Sequence, residues 1–120
     1  MIPSAGRIQT VEDIYQVLWT AVQNKQPISA IYENRPRLLC PHQLGRNYRG
    51  ELRVLCYQFG GDSRTGLQPS GSADNWRCIM VEKLRQVRLV DGEWRTAPNR
   101  SRPAPCVSDL DIDADDPNAG

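Results

Sequence analysis

The sequence predicts a mainly β domain, a small barrel or sheet with one amphipathic helix packed on it. Three observations carry this: one stretch of helical apolar period near the N-terminus, a succession of short runs with two-residue alternation, and turn residues between those runs. At 120 residues, with 39% hydrophobic and 24% charged side chains, the chain has the size of a single domain. Its longest uncharged run, residues 14–24, is broken by Gln, Thr and Asn and falls short of the ~20 apolar residues of a membrane span. The first seven residues hold no apolar core of signal-peptide length, so the cytoplasm is the expected compartment, with reduced thiols.

Residues 1–9 show no periodicity and read as a flexible leader. From Thr10 onward Val11, Ile14, Tyr15, Leu18 and Val22 recur at helical spacing, and Thr10 with Asp13 approximates a capping box. Pro27 forces the helix to end by about Lys25. Strands are expected at 28–33, 37–44 and 51–59, the last two joined by a hairpin through Gly45, Asn47 and Gly50. In the third strand Leu52, Val54 and Cys56 face one way, and Arg53, Leu55, Tyr57 and Phe59 the other. Residues 60–75, rich in Gly and Ser, read as an exposed loop. A strand at 76–81, a helical turn at 82–86, a strand at 87–90 and an Asp91-Gly92 turn complete a domain at 10–96. Residues 97–120 are Pro-rich and then acidic, and are expected to be a disordered tail.

Charge is unevenly placed. Asp109, Asp111, Asp113, Asp115 and Asp116 lie in the tail, which leaves the first 108 residues with 15 Lys and Arg against nine Asp and Glu. Thirteen of the bases are Arg, whose planar fork suits phosphate or carboxylate, although an Arg-rich surface that is merely solvated has the same composition. The acidic tail would compete with phosphate for this basic body. Cys40, Cys56, Cys78 and Cys106 lack the short paired spacing of structural zinc, so no metal or cofactor is expected and the thiols read as small buried hydrophobes. A metal- or thiol-dependent enzyme at Cys40, His42 and Cys56 is the outside alternative. His42 is the only histidine, and no nucleophile with a base is recognisable, so an enzyme is not expected.

Binding has more material. Arg53 alternates onto the face of Tyr57 and Phe59, with Arg37, Arg46, Arg49 and Arg77 on or beside neighbouring strands and Trp76 next to Arg77. Guanidinium groups interleaved with aromatic rings suit single-stranded nucleic acid or a nucleotide, through phosphate contacts and base stacking. The alternative is that Tyr57, Phe59 and Trp76 are core and the arginines rim it.

The order of segments LWTAVQNKQPISAIY, ENRPRLLCPHQLG, RGELRVLCYQFGG and WRCIMVEKLRQVRLVDGEW, over residues 18–96, resembles the WYL domain family. Leu52-Arg53-Val54 stands where that family has its Trp-Tyr-Leu triplet, Met80 occupies an arginine position, and Glu82-Lys83 replaces Asp-Arg. The resemblance implies a small Sm-like (Src-homology-3-like) β-barrel that senses ligands in bacterial transcription regulators. It points to His42, Tyr57, Arg77 and Lys83 as ligand-binding residues; Arg53 joins them on strand register. With one helix ahead of the strands, duplex reading by a helix-turn-helix is not expected. The function expected is a non-enzymatic ligand-sensing or regulatory module for a phosphate-bearing ligand, possible ligands being single-stranded nucleic acid or a nucleotide. The alternative is a structural module that docks a protein partner or a second copy through a sheet edge or the helix.

Overall fold

A computed structural model of the chain describes residues 8–63, 66–69, 71–98 and 106–115. The helix α1 spans Val11–Asn24, opened by the expected reciprocal cap: Asp13 N–H donates to the Thr10 hydroxyl and Thr10 N–H to the Asp13 carboxylate. Lys25 ends it in the left-handed region, its N–H directed to the Ala21 and Val22 carbonyls. Ile14, Leu18, Ala21 and Val22 form its buried stripe.

Among the described residues six strands form one antiparallel sheet: β1 (Ile28–Tyr32), β2 (Arg35–Arg46), β3 (Leu52–Gly61), β4 (Trp76–Met80), β5 (Arg85–Leu89) and β6 (Asp109–Asp113). The order is β4-β3-β2-β1-β5, and β6 also pairs with β2. β2 organises the sheet because it is long. Along one edge it pairs with β3; along the other it pairs with β1 through residues 35–39 and with β6 through residues 43–46. Among the described residues the sheet is not closed by backbone pairing. Tyr32, at the end of β1, reaches across with its hydroxyl to accept the Met80 N–H of β4 at 3.2 Å, and the 3₁₀ turn Val81–Lys83 spans the gap between β4 and β5.

The β2–β3 turn is tighter than the sequence suggested. Asn47 and Gly50 make it, with Gly50 at φ 81°, whereas Gly45 lies within β2 opposite Arg53. A Cβ at Gly45 would overlap the Asp109 carbonyl oxygen and come within 2.8 Å of a Val107 methyl, so the missing side chain is what admits β6 beside β2. Pro41 and His42 fall at a register shift against β3, where a bulge tolerates the missing proline N–H.

Each face of the sheet carries its own core. Leu18 and Val22 of α1 pack on Ile28, Leu39, Leu44, Val54, Cys56 and Ile79. The opposite face gathers Cys40, Leu55, Tyr57 and Trp76 beneath Cys106, Val107 and Trp94. The alternation read in β3 is present, with Val54 and Cys56 on the helix side and Leu55 and Tyr57 on the other, and both sides are buried.

Two expectations are corrected. Residues 97–120 are not a disordered tail over their described part: β6 pairs with β2, Ile112 and Ala114 enter the helix-side core, and Cys106 and Val107 enter the other. The acidic residues are engaged there too. Asp111 accepts the Tyr15 hydroxyl at 2.6 Å, and Asp113, itself buried, accepts the Gln43 amide at 3.0 Å. Nor are all four thiols reduced. Cys78 and Cys106 form a disulfide, brought together by the return of the chain over β4, while Cys40 and Cys56 are buried free thiols as expected. Cys78 is exposed rather than core. No helix among the described residues is long and apolar enough to cross a membrane.

Candidate functional site

The five residues proposed from sequence do not converge. Tyr57 is fully buried; its hydroxyl donates to the Ser72 carbonyl at 2.8 Å and accepts the Gly71 N–H at 2.9 Å, so it anchors the loop that precedes β4. His42 is 1% exposed, its Nδ1 lies 2.8 Å from the Cys40 carbonyl, and its ring stacks on Trp94 at 4.5 Å and meets the Trp76 edge at 4.8 Å. Neither ring offers a free surface. Arg53 is held between the Glu51 and Glu82 carboxylates, each at 3.3 Å. The Asn47 amide, followed by Arg53, keeps Glu51 below the usual carboxylate range. Lys83 is exposed on the 3₁₀ turn beside Glu82.

Arg77 spends its donors on neutral oxygens: the Asp74 carbonyl at 2.6 Å, the Trp76 and Gly66 carbonyls and the Ser63 hydroxyl. Burial, and then the nearby Arg37 charge, lower its pKa. Arg37 is 4% exposed; it donates to Glu33 at 3.0 Å and to Gln58 at 3.3 Å, and lies 5.1 Å from the Tyr32 ring centroid. Such a hydrogen-bonded buried cation ties β1, β2 and β3 together rather than presenting charge to solvent.

An open groove lies elsewhere, on a part of the sheet that, among the described residues, neither α1 nor the C-terminal segment covers. It encloses about 430 Å³ and is lined by Ser29 and Ile31 of β1, Pro36 and Leu38 of β2, and Gln86 and Arg88 of β5, with Arg37 and Gly61 at its end. Register explains the lining. Ser29 stands opposite both Leu38 and Arg88, and Ile31 opposite both Pro36 and Arg85, so two rows of side chains cross the three strands on the face turned away from α1. Ile31, Pro36 and Leu38 make an apolar floor. Arg85 and Arg88 are exposed, and neither has a carboxylate partner among the described residues. Gln86, at φ 50°, occupies the register shift of β5 against β1, which turns its side chain to the groove rim.

None of the five sequence-proposed residues lines this groove. The signal that could have found it was the alternation of Ser29 and Ile31 in β1 and of the charges in β5; which face stays uncovered is not written in either strand. Among the described residues no three His, Cys, Asp or Glu side chains meet as a metal site would require, and Cys40 and Cys56 belong to opposite faces. Burial pushes the Cys40 thiol up to about 11 and the Cys56 thiol well above its ordinary value. Both are protonated, inert thiols at neutral pH. Comparison with known protein families, curated proteins and solved structures finds no match to this chain.

Proposed function

We propose that this chain is a non-enzymatic ligand-binding module of regulatory type, and that its ligand carries a phosphate or similar oxyanion on a partly apolar body. The groove across β1, β2 and β5 carries the reading. Its volume of about 430 Å³ lies in the range of small-molecule sites, and an apolar floor with a few polar groups at the rim is the usual composition of such sites. Arg88 and Arg85 would meet the anion, Ser29 and Gln86 would add hydrogen bonds, and Ile31 with Leu38 would support the ligand body. A nucleotide, or one nucleotide of a single strand, has that chemistry. A helix leading into a meander of strands whose fifth returns to the first supports the Sm-like reading of the sheet, while the likeness to WYL domains rests on the sequence segments alone. The rival reading, a partner strand added at β5, has less support. The Gln9 side chain already donates to the Val87 carbonyl at 2.9 Å and accepts the Val87 N–H at 2.8 Å, occupying that edge.

The test is titration of the full chain with a nucleoside monophosphate and with short single-stranded DNA and RNA. Affinity should fall with salt, with a log-log slope of about −0.7 per phosphate neutralised on a single strand. Arg88→Ala should weaken binding about tenfold, the worth of one charge-assisted hydrogen bond, and Arg77→Ala should leave affinity unchanged. Binding that is indifferent to Arg88→Ala, or no saturable binding at low salt, would overturn the reading.

A further inference from the structure

Over the sheet face bearing Tyr57, His42 and Trp76 lie two described stretches outside any helix or strand, residues 94–98 and residues 106–107. Residues 94–98 lie across it: the Trp94 ring on His42, the Arg95 N–H directed to the Cys40 sulfur at 3.3 Å, and the Pro98 carbonyl accepting the Trp76 indole N–H at 2.9 Å. Cys106 and Val107 then pack on the same cluster, and only at Asp109 does a ladder begin. These are separate contacts, none of them part of a helix or a strand ladder. The covalent tie among them is the Cys78–Cys106 disulfide, whose Cys78 end stands exposed on β4 while Cys106 is buried.

We propose that this disulfide is a redox-operated latch, and that a dithiol reductant opens it to release the cover and expose Cys40 with the aromatic face around it. A thiolate of the dithiol attacks the exposed Cys78 sulfur, forming a mixed disulfide and expelling the Cys106 thiolate, which takes up a proton. The second thiol of the reductant then attacks its own sulfur in the mixed disulfide and frees Cys78. Two electrons pass from the dithiol, now a cyclic disulfide, to the two cysteines. Cys106 is no longer tethered to β4; the Ser108 N–H stays on the Arg46 carbonyl and β6 on β2, while Cys106, Val107 and residues 94–98 keep only their separate contacts with the cluster. Cys56 gives an internal reference, since it lies under α1 on the opposite face and the latch does not touch it.

The two free thiols make the inference measurable. The oxidised full chain is treated with iodoacetamide under native conditions, with and without prior dithiothreitol, and the modified cysteines are mapped by mass spectrometry. Without reduction, all four cysteines should resist. After reduction, Cys78 and Cys106 should react at once, and Cys40 on the order of a hundredfold faster than before, the size of the constraint a closed loop of this length imposes. Cys56 should remain protected. The double variant Cys78→Ser with Cys106→Ser should label at Cys40 without any reductant. Cys40 as protected as Cys56 after reduction, or Cys40 and Cys56 labelling together, would overturn the latch: in the first case the cover holds unaided, in the second the whole domain has opened.

Discussion

The two faces of the sheet are closed in different ways. On one, a capped helix lays an aliphatic stripe on Ile28, Leu39, Val54 and Ile79, and the contacts repeat at helical spacing. On the other, residues 94–98 and 106–107, outside any helix or strand, cover an aromatic cluster whose polar atoms each need a partner: the Tyr57 hydroxyl, the Trp76 indole and His42. The helix holds its geometry through its own backbone bonds. The cover does not, and depends on β6, a cross-link and a few side chains. A face of the second kind is the one that can open without unfolding the first.

The firmest way to break this comparison is to end the chain before Cys106. A disordered tail, which composition predicts for residues 97–120, could be removed and leave the domain folded. The structure reverses that, because Ile112 and Ala114 complete the helix-side core and β6 occupies the free end of β2. Truncation should cost about 4 kcal/mol or more, comparable to emptying a large core site. Urea denaturation of the truncated chain measures it, and a stability within error of the full chain would show that the two faces are independent.

A smaller, more local change is Gly45→Ala. Its methyl group would collide with the Asp109 carbonyl and Val107, so β6 and the adjoining cover should be displaced at a cost of about 1–3 kcal/mol. Hydrogen exchange should quicken in residues 106–113 while the amides of α1 and β1 keep their protection. Equal acceleration on both faces would mean that the cover and the helix unfold as one unit.

The smallest effect is a pH dependence. The Cys40 thiol has a folded pKa raised from 9.0 to about 11 by burial under the cover. A raised pKa means that the folded state holds the proton more tightly than the unfolded chain. The stabilisation is therefore fully present below pH 9, and is lost as pH rises through about 11. Cys40→Ala should flatten this alkaline decline in part, leaving the share that belongs to Cys56. An unchanged decline would show that the cover does not bury Cys40 from water.

Much of the helix face was legible in the linear sequence. Thr10 with Asp13 marks its start, Pro27 its end, and the recurrence of Ile14, Leu18 and Val22 its buried stripe. The alternation of Val54 and Leu55 likewise defined β3. The same alternation misled where it met function: Arg53 and Tyr57 share a side, but that side is core, and Arg53 is neutralised by Glu51 and Glu82. The groove was not legible because its lining comes from three strands in register, and Arg88 faces Ser29 only once β5 has returned to β1.

What the sequence determined by itself is therefore local: where backbone bonds close within a few residues, how far the helix runs, and which strand positions are apolar. These follow from caps, periods and the missing N–H of proline, which act over short separations. What only the tertiary structure decided is which buried face receives which cover, that Gly45 leaves room for an acidic strand, and that Cys106 finds Cys78. Those depend on contacts between residues far apart in the chain, where aperiodic residues such as Trp94 and Val107 carry no pattern, and where spacing alone leaves the pairing of four cysteines open.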